Sequence, residues 1–102
     1  MTVIWTPTAE ITFAEELAII SNQWTIIELT NFIDLVDDFV RKLESGVIEG
    51  KISAKTNIYS FVISKQTTLY FDVHTDTKII QLLLFWNNKR DPKTLKKLID
   101  RF

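Results

Sequence analysis

Cysteine is absent from the 102 residues, which excludes disulfides and thiolate metal sites and permits a reducing compartment. Glycine occurs twice, at Gly46 and Gly50, so no phosphate-cradling glycine loop is present. With His74 as the sole histidine and serines scattered, no Ser/His/Asp arrangement can be assembled from spacing alone. No apolar run approaches the roughly 18 residues that cross a bilayer. The longest, Ile79 to Trp86, is broken by Gln81 and reads as a buried strand. The N-terminus lacks a basic stretch leading into an apolar one, so no signal peptide is expected and the cytoplasm is the default location. Repeats and low-complexity tracts are also missing.

Residues 1–40 lack lysine and arginine altogether. They hold seven acidic side chains: Glu10, Glu15, Glu16, Glu28, Asp34, Asp37 and Asp38. Residues 41–102 carry all twelve basic side chains against six acidic ones, a balance of +6 within a chain whose net charge is −1. This asymmetry predicts an acidic helical side and a basic remainder. The overall pI near 5.8 argues against a purely electrostatic grip on nucleic acid. Apolar residues at 46% and charged residues at 25% suit one globular domain with one core, spanning residues 1–102.

Local signals give an element order. Val3-Ile4-Trp5 is a short β-type run, and Thr6-Pro7 starts a helix, since proline at the first helical position lacks no needed amide hydrogen. Ala9, Phe13, Leu17, Ile20 and Trp24 make one apolar helical face, and Asn22 is expected to end the helix. Thr25 to Glu28 forms a capping box. The second helix carries Leu29, Phe32, Ile33, Val36, Phe39, Val40 and Leu43 on one stripe, and Gly46 terminates it in the left-handed region. The two helices should form an antiparallel hairpin. Residues 47–57 are polar without a period and read as a loop. Three strands then follow, at Ile58 to Ser64, Thr67 to His74 and Lys78 to Trp86, joined as two hairpins. The last is apolar on both faces, which places it inside the sheet with the helices on one side. Asp91-Pro92 opens a final helix with Leu95, Leu98, Ile99 and Phe102 on its apolar face and Lys93, Lys96, Lys97 and Arg101 exposed. The expectation is an α+β domain of order β-α-α-β-β-β-α, a small antiparallel sheet packed on a helical hairpin.

This order, together with particular residues, resembles the RelE/ParE toxins of bacterial type II toxin–antitoxin systems. Trp5-Thr6-Pro7 followed by Ala9 is similar to the start of many members, and Thr67-Thr68-Leu69-Tyr70-Phe71 to their penultimate strand. The most specific stretch is Leu84-Phe85-Trp86-Asn87-Asn88-Lys89-Arg90-Asp91-Pro92-Lys93, where an aromatic pair and asparagine precede a basic residue and Asp-Pro. The resemblance covers nearly the whole chain. It implies a growth inhibitor made beside an antitoxin that wraps and silences it. It also implies one of two activities: metal-free cleavage of mRNA on the ribosome (RelE-like) or poisoning of DNA gyrase (ParE-like). Fold alone does not choose between them.

Metal-free RNA cleavage needs a proton acceptor for the 2′-hydroxyl, cations for the pentacoordinate phosphate and an acid for the leaving oxygen. The candidates for a RelE-like site are Lys51, Lys55, His74, Lys89 and Arg90. Histidine is the residue type that titrates near neutrality unaided, and alternation sets His74 beside Tyr70 and Asp72. Residues after Asp91 supply no tyrosine or histidine, the chain-end group the resemblance implies for an active nuclease. That departure tilts the expectation toward ParE-like gyrase inhibition, which needs no catalytic residue. Trp86 is a candidate for stacking on a base or a partner. Asp34 and Asp38, one turn apart beside Asp37, could bind a metal only with other ligands and read as a solvated acidic face suited to a basic partner. No metal or cofactor is implied. A third reading is a non-toxic interaction module that keeps the fold alone.

Overall fold

The computed structural model describes all residues from Met1 to Phe102. Strand β1 (Thr2–Trp5) leads into α1 (Pro7–Gln23) and α2 (Ile26–Glu44). Four strands follow, β2 (Lys51–Ile52), β3 (Tyr59–Val62), β4 (Thr67–His74) and β5 (Ile79–Asn87), and α3 (Pro92–Ile99) closes the order. The chain is α+β. No helix is long and apolar enough to cross a membrane.

The helix boundaries follow local chemistry. Thr6 Oγ1 accepts from Ala9 N at 3.1 Å, and Pro7 occupies the first turn. Glu28 Oε2 accepts from Thr25 N at 3.1 Å, the capping-box bond expected there. Gly46 adopts φ +90° and its amide returns to Leu43 O at 3.0 Å, closing α2. Asp91 Oδ1 accepts from Lys93 N at 3.0 Å and starts α3.

The five-stranded sheet runs β1-β5-β4-β3-β2 and is mixed, not purely antiparallel. β1 lies parallel to β5, with Thr2 opposite Ile79 and Trp5 opposite Leu82. The remaining pairs are antiparallel. Part of the segment expected as loop is therefore strand: β2 forms the far edge, Lys51 opposite Ser60 and Ile52 opposite Tyr59. Gly50 makes this edge possible, because at φ +123° any added Cβ would stand 2.6 Å from Ser60 O.

The hairpin covers one face of the sheet. Ala9, Ile20, Phe32, Val36, Phe39 and Leu43 from the helices meet Leu69, Phe71, Ile80, Leu82 and Phe85 from the strands and Ile63 just past β3. Phe39 stacks on Phe61 with centroids 4.1 Å apart. Trp24, expected on the apolar face of α1, instead caps that helix and is 45% exposed.

A β-bulge divides β5. Tyr70 pairs with Leu84 but Phe71 pairs with Leu82, so Leu83 is the extra residue. Leu83 and Leu84 consequently both join Ile58 and Trp86 in a second apolar cluster on the opposite face. Leu95, Leu98 and Ile99 of α3 pack on it. The last strand is thus covered on both faces, by the hairpin and by α3, not on one.

Candidate functional site

Cross-strand partners share a face of a sheet, so register defines what the second face presents. One row crosses it from edge to centre: Lys51 on β2, Ser60 on β3, Tyr70 on β4 and Leu84 on β5. A neighbouring row pairs Val62, Thr68 and Trp86. α3 lies over the β5 end of this face and leaves the β2–β3 end open.

Between α3 and that open end is a cleft of about 380 Å³. Its cations are Lys51, Lys55 and Lys96, and its apolar wall includes Ile52, Ile58, Leu95 and Ile99. Tyr70 and Ser60 contribute hydroxyls, and Asp100 is the one acidic residue on the lining. An adjoining hollow of about 420 Å³ shares Lys51, Ser60 and Tyr70 and continues across the sheet toward Thr68. Partial burial pushes the Tyr70 phenol above its usual pKa, which keeps it a hydrogen-bond donor. Lys51, Lys55 and Lys96 form no ion pair, unlike Lys42 with Glu49 at 3.4 Å.

The five candidate catalytic residues do not converge. Lys51 and Lys55 share the cleft just described. His74 lines a separate cavity of about 280 Å³ with Asp72, Val73 and Phe102, touching the cleft only through Thr56 and Ile58. His74 Nε2 stands 3.1 Å from Asp72 Oδ1, while no donor is aligned on that buried oxygen. Phe102 thus lies beyond α3, half exposed, and not on its apolar face.

Lys89 and Arg90 follow Asn87, which pairs with Thr67 at one end of β4, whereas His74 pairs with Ile79 at the other. Those ends are roughly 23 Å apart at ~3.3 Å per residue. Arg90 is also engaged locally. Its guanidinium carbon sits 4.4 Å from the Trp86 ring centroid, and Nη1 lies 3.9 Å from Glu15 Oε2.

Trp86 is only 2% exposed, beneath α3 and Arg90, so a partner or a base could stack on it only after α3 moved. Asp34 and Asp38 stand exposed on the outer face of α2, the latter 3.9 Å from Arg41.

Three polar residues were not singled out by the sequence as core or site residues. Thr12 and Glu16 face the sheet from α1, and Lys96 completes the cleft from α3. Thr12 Oγ1 accepts from Phe85 N at 2.9 Å. Glu16 Oε2 accepts from Thr67 Oγ1 at 2.6 Å and Asn87 Nδ2 at 3.5 Å. Burial raises the Glu16 pKa above the usual carboxylate range, with those two hydrogen bonds and Arg90 opposing. The signal for Thr12 and Glu16 was their four-residue spacing from Thr8 to Thr12 to Glu16, in line with the buried stripe of α1. No protein-family model and no curated protein matches the chain.

Proposed function

We propose that this chain is the toxin of a two-component toxin–antitoxin pair with a RelE/ParE-like fold, and that it inhibits DNA gyrase by protein–protein contact. The family part of this reading is supported by the hairpin on a sheet, the Trp5-Thr6-Pro7 opening and the Phe85-Trp86-Asn87 strand end. The choice of target is carried by one observation, the dispersal of Lys51, Lys55, His74, Lys89 and Arg90 over three places on the molecule. Cleaving a phosphodiester requires a base, an acid and cations within hydrogen-bond reach of one phosphate. Contact inhibition has no such requirement.

The test is inducible expression in cells with and without the neighbouring antitoxin, with plasmid topology and cellular mRNA followed together. Growth arrest reversed by the antitoxin, with supercoiling by purified gyrase inhibited and translated mRNA intact, is the expected result. Cleaved mRNA with unchanged supercoiling would replace this target with the ribosome. Normal growth at high expression would leave a non-toxic interaction module.

One observation favours the RelE-like alternative. Lys51, Lys55 and Lys96 share a cleft with the Tyr70 hydroxyl, a combination able to hold a phosphodiester. On that reading Lys51→Ala and Lys55→Ala slow ribosome-dependent cleavage, while Arg90→Ala acts by freeing Trp86 and Glu15.

A further inference from the structure

The cleft between α3 and the β2–β3 edge has a charge balance suited to one small ligand. Three lysines and a single carboxylate, Asp100, line it, an excess of two positive charges in one compartment. None of the three ammonium groups is neutralised by an ion pair. A phosphate monoester carries about −1.5 to −2 charges near neutral pH. It would therefore match the excess, and its terminal oxygens would accept from several lysines at once. An acidic peptide would instead spread single charges along an extended groove.

Size and the apolar lining narrow the class further. The volume of about 380 Å³ lies at the small-molecule end of ligand pockets, which span roughly 300–1,000 Å³. Ile58 on the sheet side and Leu95 and Ile99 of α3, beside Lys96, supply apolar surface within the same cleft, and Ser60 and Tyr70 offer hydroxyls from the sheet. Inorganic phosphate would leave that surface bare. An uncharged aromatic compound would leave the cations unmatched.

We infer that this cleft binds a nucleoside monophosphate, its phosphate held by Lys51, Lys55 and Lys96 and its base against Ile58, Leu95 and Ile99. The inference does not rest on the toxin reading and applies equally to a protein-directed toxin. The ligand would bridge β2 to α3 and hold α3 over Trp86.

Calorimetric titration of the full chain with AMP, UMP, adenosine, inorganic phosphate and a short oligoribonucleotide lacking terminal phosphates tests it. AMP or UMP should bind saturably, with adenosine and the oligonucleotide about tenfold weaker for want of the charge-assisted contacts, and inorganic phosphate about tenfold weaker for want of the apolar ones. Lys51→Ala and Lys96→Ala, both at exposed positions, should each weaken the mononucleotide about tenfold. Lys65→Ala, outside the cleft, should leave it unchanged. Backbone amide shifts on titration should fall on residues 51–60 and 95–100. The inference is overturned by absent saturation, by phosphate binding as tightly as AMP, or by lysine variants that bind normally. Tighter binding of the oligonucleotide would also overturn it, assigning the cleft to a strand. Growth assays are untouched by any of these outcomes, so the toxin reading stands or falls separately.

Discussion

At the scale of single residues, Glu16 shows most clearly how burial and chemistry oppose each other. Its side chain is 3% exposed, and Thr67, with which it bonds, is fully covered. Because its pKa is raised in the folded chain, the unfolded chain ionises first as pH climbs from roughly 4.3, the value of an unburied glutamate. Over that window the unfolded state binds fewer protons than the native state, so this group's contribution to stability falls as pH rises. Glu16→Gln keeps an acceptor for Thr67 and removes the ionisation. Its melting temperature relative to the wild type should therefore improve from pH 4.5 to pH 7, which thermal unfolding across that range would measure. A difference independent of pH would show that Glu16 is not held against its charge. Glu16→Ala should instead be destabilising at every pH by about 1–3 kcal/mol, since the buried Thr67 hydroxyl loses its acceptor. A pattern of apolar residues has no place for such a group, and Ala9, Phe13, Leu17 and Ile20 concealed the polar stripe beside them.

Elements whose signals are local were legible, and those that depend on distant pairing were not. Thr6-Pro7, the Thr25–Glu28 box, Gly46 and Asp91-Pro92 each fix a helix end within four residues of themselves. The pairing of Thr2 with Ile79 leaves no comparable local mark, nor does the bulge at Leu83. Where β1 stops, the edge of β5 is completed by threonine side chains. Thr6 Oγ1 donates to Leu82 O at 2.7 Å, and Thr12 Oγ1 receives the Phe85 amide. The Trp-Thr-Pro opening thus serves a physical purpose beyond capping α1. Thr12→Val preserves shape and strands the buried Phe85 N–H, so denaturant unfolding should show a loss of about 1–3 kcal/mol. Loss of the cap on α3 is a different matter, because none of that helix's residues is fully buried. Asp91→Ala should cost about 1 kcal/mol. Hydrogen exchange should accelerate in residues 92–99 while β5 amides keep their protection. Equal acceleration in β5 would mean α3 and the sheet open as one unit. The cleft itself was only half visible in sequence: Lys51 and Lys55 were candidates, but Lys96, distant along the chain, joins them only when α3 folds back.

Across the whole molecule, the division of charge read from the sequence becomes a division of surfaces. The hairpin that seals one face of the sheet presents Asp34, Asp37 and Asp38 to solvent, and the far side gathers uncompensated lysines in the cleft. If an antitoxin with basic segments grips the hairpin, its approach is steered by the acidic face, and charge contributes more to association rate than to final affinity. Reversing Asp34 and Asp38 to lysine changes two exposed side chains that pack against nothing in the core, so the fold should survive. Capture of the antitoxin by the double variant should slow by about tenfold at low salt, with the difference narrowing as ionic strength rises. Stopped-flow association at two salt concentrations would measure this. On the proposed toxin reading, the same variant in cells should be rescued by an antitoxin more slowly than the wild-type chain while arresting growth as strongly. An unchanged association rate would move the antitoxin's contact off the hairpin and toward the lysine-lined side. A variant that no longer arrests growth would instead mark the acidic hairpin as the face that meets the target.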